Sequence, residues 1–460
     1  MSSKASSEKS KLGLKEVVAM GVGGIVSGGI YAVLGVAMNQ AGNAVVLSYI
    51  LAGIITLLTA YSYIKLTCYF EENGGVFSFI EHTVDNNHIA GYFGWILIVG
   101  YVGVMAMYAF AFGAFTLTAL REIFSIELPQ ILRPVISVGI VGFIAGINLI
   151  GVKTSGIFED IMVYLKILIL MSLAVLGIVF YDGSITELNF FNKGVMDPIA
   201  AFAIIFVSYE GFQLLTYDYN DIKDAAKNLA RGTYIAVAIA ILIYVSVSFM
   251  ATLQLSPEQL IQHKETALAA AVSNIPFLGG IGFILVILSA IKSTSSGINA
   301  TLFGTSRLTH KITTEKELPR LFSFRNKKGI PTYSVLLMAG ATALFTAFGS
   351  LEQITEFGSV AFLIADSAAN YANLKLYKKT NSNKWIPLVA LIATLGALPI
   401  VGYHLYQQAP HTLMIIGIIF AALFVIEFFH MEREEVTEVV EGVEEEIEEA
   451  AEDIYSDREE

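Results

Sequence analysis

Long apolar segments recur along this 460-residue chain, and they restrict its fold more than any other feature. A helix needs roughly 20 apolar residues to cross a hydrocarbon core about 30 Å thick, because it rises about 1.5 Å per residue. Lipid offers no hydrogen-bond partner to a peptide group, so segments that span it must be helices. The sequence predicts an all-α polytopic membrane protein with 12 transmembrane helices. The predicted spans are 14–41, 44–69, 90–119, 131–150, 156–181, 195–219, 232–253, 277–305, 332–349, 354–376, 385–405 and 411–430.

The composition excludes a soluble globular protein of this size. Apolar residues make up 55% of the chain and charged residues only 15%, whereas soluble domains carry about 25% charged residues. The net charge of −12 comes from the C-terminal tail, residues 431–460, which holds 15 acidic residues and 2 arginines. No basic patch remains to bind nucleic acid. The single cysteine, Cys68, excludes a disulfide framework, and the 7 histidines show no metal-ligand spacing.

The positions of lysine and arginine predict the orientation in the membrane. With a cytoplasmic N-terminus, the inner loops and termini hold 22 of these residues and the outer loops hold 4. Lysine and arginine concentrate in cytoplasmic loops. We therefore expect a multi-pass protein of the plasma membrane with both termini in the cytoplasm. Residues 1–13 would form a cytoplasmic N-terminal segment, and residues 431–460 an acidic cytoplasmic tail.

Two of the spans contain residues that interrupt an apolar helix. Residues 21–29 of the first span include 5 glycines, and each glycine costs a helix interior roughly 1 kcal/mol relative to alanine. This pattern favours either a helix-packing surface or a discontinuous helix whose free N–H groups hold a carboxylate. In span six, a serine, a glutamate, a glycine and a glutamine lie together in residues 206–213. Paired interruptions in two halves of a chain are typical of a transporter site at an inverted-repeat interface.

Four stretches resemble motifs of one transporter family. Residues 22–35 lie in span one, and residues 60–79 cover the end of span two and the turn after it. Residues 220–231 follow span six, and residues 306–332 follow span eight. Together they resemble the amino acid–polyamine–organocation (APC) superfamily, whose first-span signature is G-x-x-I-G-S-G-I-F. The chain departs from that signature where Ser27-Gly28 inverts the usual order.

The resemblance implies a leucine-transporter-type fold with discontinuous helices 1 and 6. Residues 14–181 (TM1–TM5) and 195–376 (TM6–TM10) would form two inverted repeats of five helices, and residues 385–430 two peripheral helices. In that fold the amides of span one bind the substrate carboxylate, and carbonyls of both breaks bind its amine. The implied substrate-binding residues are Val22, Gly23, Ile25, Ser27, Gly28, Gly29, Phe206, Val207, Tyr209, Glu210 and Gly211.

Lys166 lies about ten residues into the apolar span 156–181, too deep for its ammonium group to reach the interface easily. An ionisable group at this depth is costly and indicates function. The prokaryotic proton-coupled members of the resembled family place a lysine at the matching position, where sodium sits in sodium-coupled relatives. The resemblance implies that the proton is the coupling ion, that sodium is not used, and that no cofactor is required. The alternative is a static structural cation.

The hydroxyl run at residues 293–296 of span eight supplies candidate partners for Lys166. Ser295 and Ser296 are the residues that we assign to proton coupling. Serine and threonine also form hydrogen-bonded packing seams between membrane helices. Both interpretations of the run remain open on the sequence alone.

Three further charged residues, Glu210, Lys292 and Asp366, lie within apolar spans. Unpaired charges there would be expensive, so we predict a charge network in which Glu210 pairs with Lys292 or with a charged substrate side chain. Asp366 either joins this network or faces a water-filled vestibule. Glu210 alone would suit a cationic amino acid or a polyamine, and Lys292 alone an acidic substrate.

The sequence predicts a secondary active transporter that resides in the lipid bilayer and takes up an amino acid or related organic amine with protons by alternating access. An enzyme is not expected, because neither a G-x-x-x-x-G-K-[ST] motif nor a nucleophile–base constellation is present. An amino acid/polyamine exchanger or organic-cation carrier is the first alternative. A non-transporting amino acid sensor that signals through residues 431–460 is an alternative of another class.

Overall fold

The computed structural model describes residues 11–430 apart from 85, 152–155, 184–188, 193, 195–196 and 315–317. The predicted acidic tail and most of the predicted N-terminal segment therefore lie outside the described residues. Within the described ranges the chain is helical and forms no β-strand. Two isolated bridges join Leu12 to Ile222 and Arg325 to Pro331.

The helices are labelled in chain order, and short 3-10 helices are given by their residues. They are α1 (Leu14–Ile25), α2 (Gly29–Ala41), α3 (Val45–Phe70), α4 (Gly75–Glu81), α5 (Asn87–Glu122), α6 (Leu132–Ile150), α7 (Gly156–Val179), α8 (Asp197–Ile205), α9 (Ala225–Gln254), α10 (Pro257–Gln262), α11 (Ala267–Ser273), α12 (Gly279–Thr314), α13 (Thr332–Phe348), α14 (Leu351–Lys375), α15 (Trp385–Gln408) and α16 (Pro410–His430).

Eight helical stretches of the described residues are long and apolar enough to cross a membrane. They are Leu14–Phe70, which contains α1 to α3, and His88–Glu122, Leu132–Ile150, Ile161–Val179, Ala225–Gln254, Gly279–Thr314, Trp385–Gln408 and Pro410–His430. This confirms the predicted all-α polytopic membrane protein.

The helices divide into central and peripheral ones. The apolar part of α5 is 89% buried, whereas those of α6 and α16 are each 22% buried. α5 packs against α12, α13 and α14. The exposed side chains of the peripheral helices are largely apolar, for example Phe143, Ile392 and Phe424. Because lipid tails accept only such a surface, α5 lies inside the bundle and the peripheral helices form its outer wall.

Spans one and six each consist of two shorter helical pieces, and these pieces pack in crossed pairs. α1 packs on the 3-10 helix Phe212–Asp221, the second half of span six. α2 packs on α8, which is the first half of span six. The first half of each span thus lies beside the second half of the other. Two discontinuous helices that run antiparallel produce this arrangement.

Candidate functional site

Span one is interrupted at residues 26–28. α1 ends at Ile25, α2 begins at Gly29, and Gly28 at the N-cap position offers no side-chain cap. The Ser27 hydroxyl turns back and donates a hydrogen bond to the carbonyl oxygen of Gly23. The first N–H groups of a helix have no intrahelical acceptor, so the start of α2 presents donors suited to an anionic group.

Span six is interrupted at Glu210 and Gly211. α8 continues into the 3-10 helix Phe206–Tyr209, Glu210 is extended, and Phe212–Asp221 resumes as a 3-10 helix. Gly211 has a φ of 117°, a backbone conformation that glycine adopts readily and that strains other residues. The polar residues that mark this segment in the sequence therefore coincide with the break itself.

The two breaks touch through their glycines. A Cβ atom placed on Gly24 would lie 3.0 Å from the carbonyl oxygen of Gly211. A Cβ atom on Gly29 would lie 2.8 Å from the Cα atom of Ser208. Small residues permit such close backbone approach in membrane proteins. The structure therefore brings the predicted residues of span one and span six together at one place in the bundle.

Tyr244 of α9 joins the two breaks. Its hydroxyl lies 2.8 Å from the carbonyl oxygens of both Ile25 and Ser208, and its side chain is fully buried. One buried hydroxyl group thus bonds to a carbonyl of each span. Sequence analysis missed Tyr244 and Ser208 as bonding partners, since Tyr244 lies in an uninterrupted apolar span.

Several of the predicted amine-binding carbonyls have protein partners in this conformation. The carbonyl of Val22 accepts from the Val26 N–H at 2.8 Å, and the carbonyl of Val207 accepts from the Glu210 N–H at 3.3 Å. The Tyr209 hydroxyl donates to a carbonyl of α3 at 2.9 Å, so this side chain points away from the meeting point of the breaks. The carbonyls of Val22 and Val207 are therefore bonded to N–H groups of their own spans in this conformation.

Tyr108 of α5 covers the start of α2. It is 1% exposed, and its ring fills the space beside Gly28. On the other side, a Cβ atom placed on Gly297 of α12 would lie 2.8 Å from the Tyr108 ring and 2.7 Å from the Ser27 side chain. The ring therefore excludes water from the N–H groups of this break.

Lys166 lies on the buried face of α7 and is 7% exposed. Val163, one turn earlier on the same face, would lie 3.2 Å from a Cβ atom on Gly23, and α7 packs against α1, α9 and α12. The ion pairs formed by the described residues do not include Lys166. The helix that carries Lys166 thus packs against spans one, seven and eight, and the role of the lysine in proton coupling stays a prediction.

The hydroxyl run of α12 faces the break through a different serine from those predicted. The Ser293 hydroxyl donates to the carbonyl of Val26 at 3.3 Å. Ser295 donates to the carbonyl of Lys292 in its own helix at 2.9 Å, and Ser296 is exposed. Successive residues point about 100° apart around a helix, so Ser293, Ser295 and Ser296 point in different directions. Ser293 is therefore the serine of this run that bonds to the break, and the role of Ser295 and Ser296 in proton coupling stays a prediction.

The predicted charge network divides into two parts. Glu210 and Asp366 interact electrostatically, and both side chains are at most 1% exposed. Lys292 is half-buried and close enough to Lys166 for the two positive charges to repel each other. Among the described residues no ion pair joins Glu210 to Lys292. That predicted pair is wrong, because Glu210 points toward α14 whereas Lys292 lies near α7.

The geometry is that of two interrupted helices meeting in an apolar bundle, and comparison with known proteins agrees with it. A model described as amino acid permease matches residues 12–436. The chain belongs to the amino acid permease family. An uncharacterised protein of Methanocaldococcus jannaschii is 30% identical over 425 residues, which cover 91% of this chain and 94% of that protein.

Two relatives with descriptive names are also similar along most of their length. The inner membrane transport protein YbaT of Escherichia coli is 27% identical over 92% of this permease and 97% of its own chain. The methylthioribose transporter of Bacillus subtilis is 25% identical over 86% and 88% of the two chains. The permease is therefore a membrane transporter of the APC superfamily and not an enzyme.

Proposed function

We propose that this permease takes up amino acids across the plasma membrane together with protons, by alternating access. One observation carries the proposal: the breaks of spans one and six meet beside a buried lysine. The N–H groups at the start of α2 would bind the substrate carboxylate. The carbonyls of Ile25 and Ser208, now joined through Tyr244, are acceptors for its ammonium group.

The proposed fold is the leucine-transporter type with 12 spans. The eight long apolar stretches hold nine of these spans, because Leu14–Phe70 holds two, and α13, α14 and the two-piece span six would complete the 12. The crossed packing of α1 on Phe212–Asp221 and of α2 on α8 supports two inverted five-helix repeats. The excess of lysine and arginine in alternate loops supports cytoplasmic termini.

Lys166 is the proposed coupling residue. Val163 places the face of α7 that carries Lys166 against Gly23, two residues before α1 ends at Ile25. The C-terminal end of a helix carries partial negative charge and attracts a cation, while apolar surroundings favour the neutral amine. Gain of a proton would draw α7 and α1 together, and loss would release α1 to move. An ammonium group at this position makes sodium unnecessary.

Uptake by reconstituted protein tests the proposal. A thermal-shift screen with the 20 common amino acids first identifies a ligand. In proteoliposomes, an imposed inward proton gradient should accelerate uptake of that ligand by the wild type. The Lys166→Ala variant should bind the ligand but lose the response to the gradient.

Lys65→Ala is the matched control. Lys65 lies near the C-terminal end of α3, and its ammonium group donates to the carbonyl of Asn381, which is in neither break. It should respond to the gradient as the wild type does. Coupling through Lys166 is wrong if the Lys166→Ala variant keeps the full gradient response. Transport itself is wrong if every protein binds amino acids without flux.

A further inference from the structure

Glu210 and Asp366 form a buried carboxyl pair at the second break that the proposed function does not use. Glu210 lies in the break of span six, and Asp366 lies near the middle of α14. They are 1% and 0% exposed and interact electrostatically. Glu210 Oε1 and Asp366 Oδ2 are each buried without a hydrogen-bond partner. Each acid thus has one satisfied and one unsatisfied oxygen.

Gln213 fixes the arrangement of the pair. Its side-chain oxygen accepts from the Gly211 N–H at 2.9 Å, so its nitrogen must point the other way. That nitrogen donates to Glu210 Oε2, and the Gln213 side chain also interacts electrostatically with Asp366. The Tyr63 hydroxyl donates to Asp366 Oδ1 at 2.8 Å. No hydrogen bond of the described residues reaches Glu210 Oε1 or Asp366 Oδ2.

No described cation compensates the two acids. The ion pairs of the described residues include neither Glu210 nor Asp366. The titratable side chains that face the pair are tyrosines on three surrounding elements: Tyr63 of α3, Tyr101 and Tyr108 of α5, and Tyr217 of the 3-10 helix Phe212–Asp221. Tyr101 and Tyr217 bond to each other at 2.9 Å.

We propose that Glu210 and Asp366 share one proton, so that the second break carries its own protonation site. Two neighbouring carboxylates in apolar surroundings cannot both be ionised without a large cost. A proton held between Glu210 Oε1 and Asp366 Oδ2 gives both unsatisfied oxygens a partner at once. It leaves the pair with one negative charge, which the Gln213 amide and the Tyr63 hydroxyl stabilise.

The shared proton ties the break of span six to α14 and α3. Loss of the proton to water would leave two adjacent negative charges, and their repulsion would push Glu210 away from Asp366. Since Glu210 is itself part of the break of span six, movement of its side chain would change the backbone at Glu210 and Gly211. This second, conformational step rests on the proposed function, whereas the presence of the shared proton does not.

Infrared difference spectroscopy of the purified full-length protein at neutral pH tests for the proton directly. The carbonyl stretch of a protonated carboxyl group is separate from that of a carboxylate. The double variant Glu210→Gln/Asp366→Asn should lose the signal of one protonated carboxyl group relative to the wild type. Glu127→Gln, at an exposed loop position, should lose none. If the double variant does not fold, a pH titration of the wild-type signal and of each single variant gives the same count.

Each other count overturns the proposal. Loss of no signal means that both acids are ionised and that a cation compensates them. Loss of two signals means that each acid holds its own proton. Displacement of the signal by added sodium, potassium or a cationic amino acid means that the pair is a cation site. A failure of proton-driven uptake with the single-proton signal intact would overturn the proposed function and leave the shared proton standing.

Discussion

The two breaks of this permease both interrupt a membrane span, but they differ in the ionisable groups that they contain. The break of span one contains Val26, Ser27 and Gly28, none of them ionisable, and the buried Lys166 lies on α7, which packs against α1. The break of span six contains its own acid, Glu210, which interacts with Asp366. A lysine therefore lies on a helix beside the first break, whereas the second break contains an acid. A proton added at the first break creates a charge, and a proton added at the second removes one.

The backbones of the breaks also differ in what they demand of the sequence. Gly211 needs glycine because of its φ of 117° and because Gly24 contacts it. Gly24 lies inside α1 with ordinary helical backbone and needs glycine only for that contact. The second break thus requires glycine for its backbone conformation, and the first requires it for the close contact between the two backbones.

Gly211→Ala should be the most damaging of these changes. A Cβ atom there would lie 2.8 Å from the carbonyl carbon of Gly24, and the positive φ adds strain of about 1–3 kcal/mol. We expect a large fall in the melting temperature in detergent and loss of uptake. In Gly24→Ala the new Cβ atom would lie 3.0 Å from the Gly211 carbonyl oxygen, and the melting temperature should fall by less. Gly139→Ala, which meets nothing within 4 Å, is the control; equal falls for all three would refute the difference.

Tyr244→Phe should have an intermediate effect that involves both breaks. It leaves the carbonyls of Ile25 and Ser208 without their shared donor, and an unsatisfied buried polar group costs about 1–3 kcal/mol. The melting temperature should fall and the apparent affinity for the amino acid should change together. Tyr403→Phe, at a side chain that is 68% exposed, should change neither. An unaltered affinity in Tyr244→Phe would remove these carbonyls from the proposed substrate site.

Ser293→Ala should have the smallest effect, confined to the first break. It removes one hydrogen bond to the Val26 carbonyl, worth about 0.5–1.5 kcal/mol. Uptake under a proton gradient should slow measurably. Ser296→Ala should leave uptake unchanged, because Ser296 is exposed. The reverse order of the two variants would support the sequence-based assignment of Ser296.

The sequence was sufficient for the parts of the fold that depend on composition and backbone. Apolar length predicted the helices because lipid leaves the peptide groups no other partner. The glycines of span one and the polar residues of span six predicted the interruptions, since both weaken a helix locally. Lys166 could be selected because a charge deep in an apolar segment is rare.

The partners of these residues depend on the rotation of each helix, which the sequence does not show. Glu210 and Lys292 look like a pair when only their depth is known, yet they point toward different helices. Ser293 and Ser296 differ by less than one turn, and only packing decides which one faces the break. Gln213, which the sequence shows only as one of the polar residues of span six, donates to Glu210 and interacts with Asp366.

The bridge between Leu12 and Ile222 has a mechanical consequence. The Leu12 N–H donates to the Asp221 carbonyl at 2.8 Å, and the Lys223 N–H donates to the Leu12 carbonyl at 2.9 Å. Leu12 lies just before α1, and Asp221 ends the second half of span six. These two half-helices are therefore fastened at their tips as well as packed along their length. These bonds oppose a separation of the two half-helices, so we expect a spectroscopic distance between residues 12 and 222 to be the same with and without added amino acid.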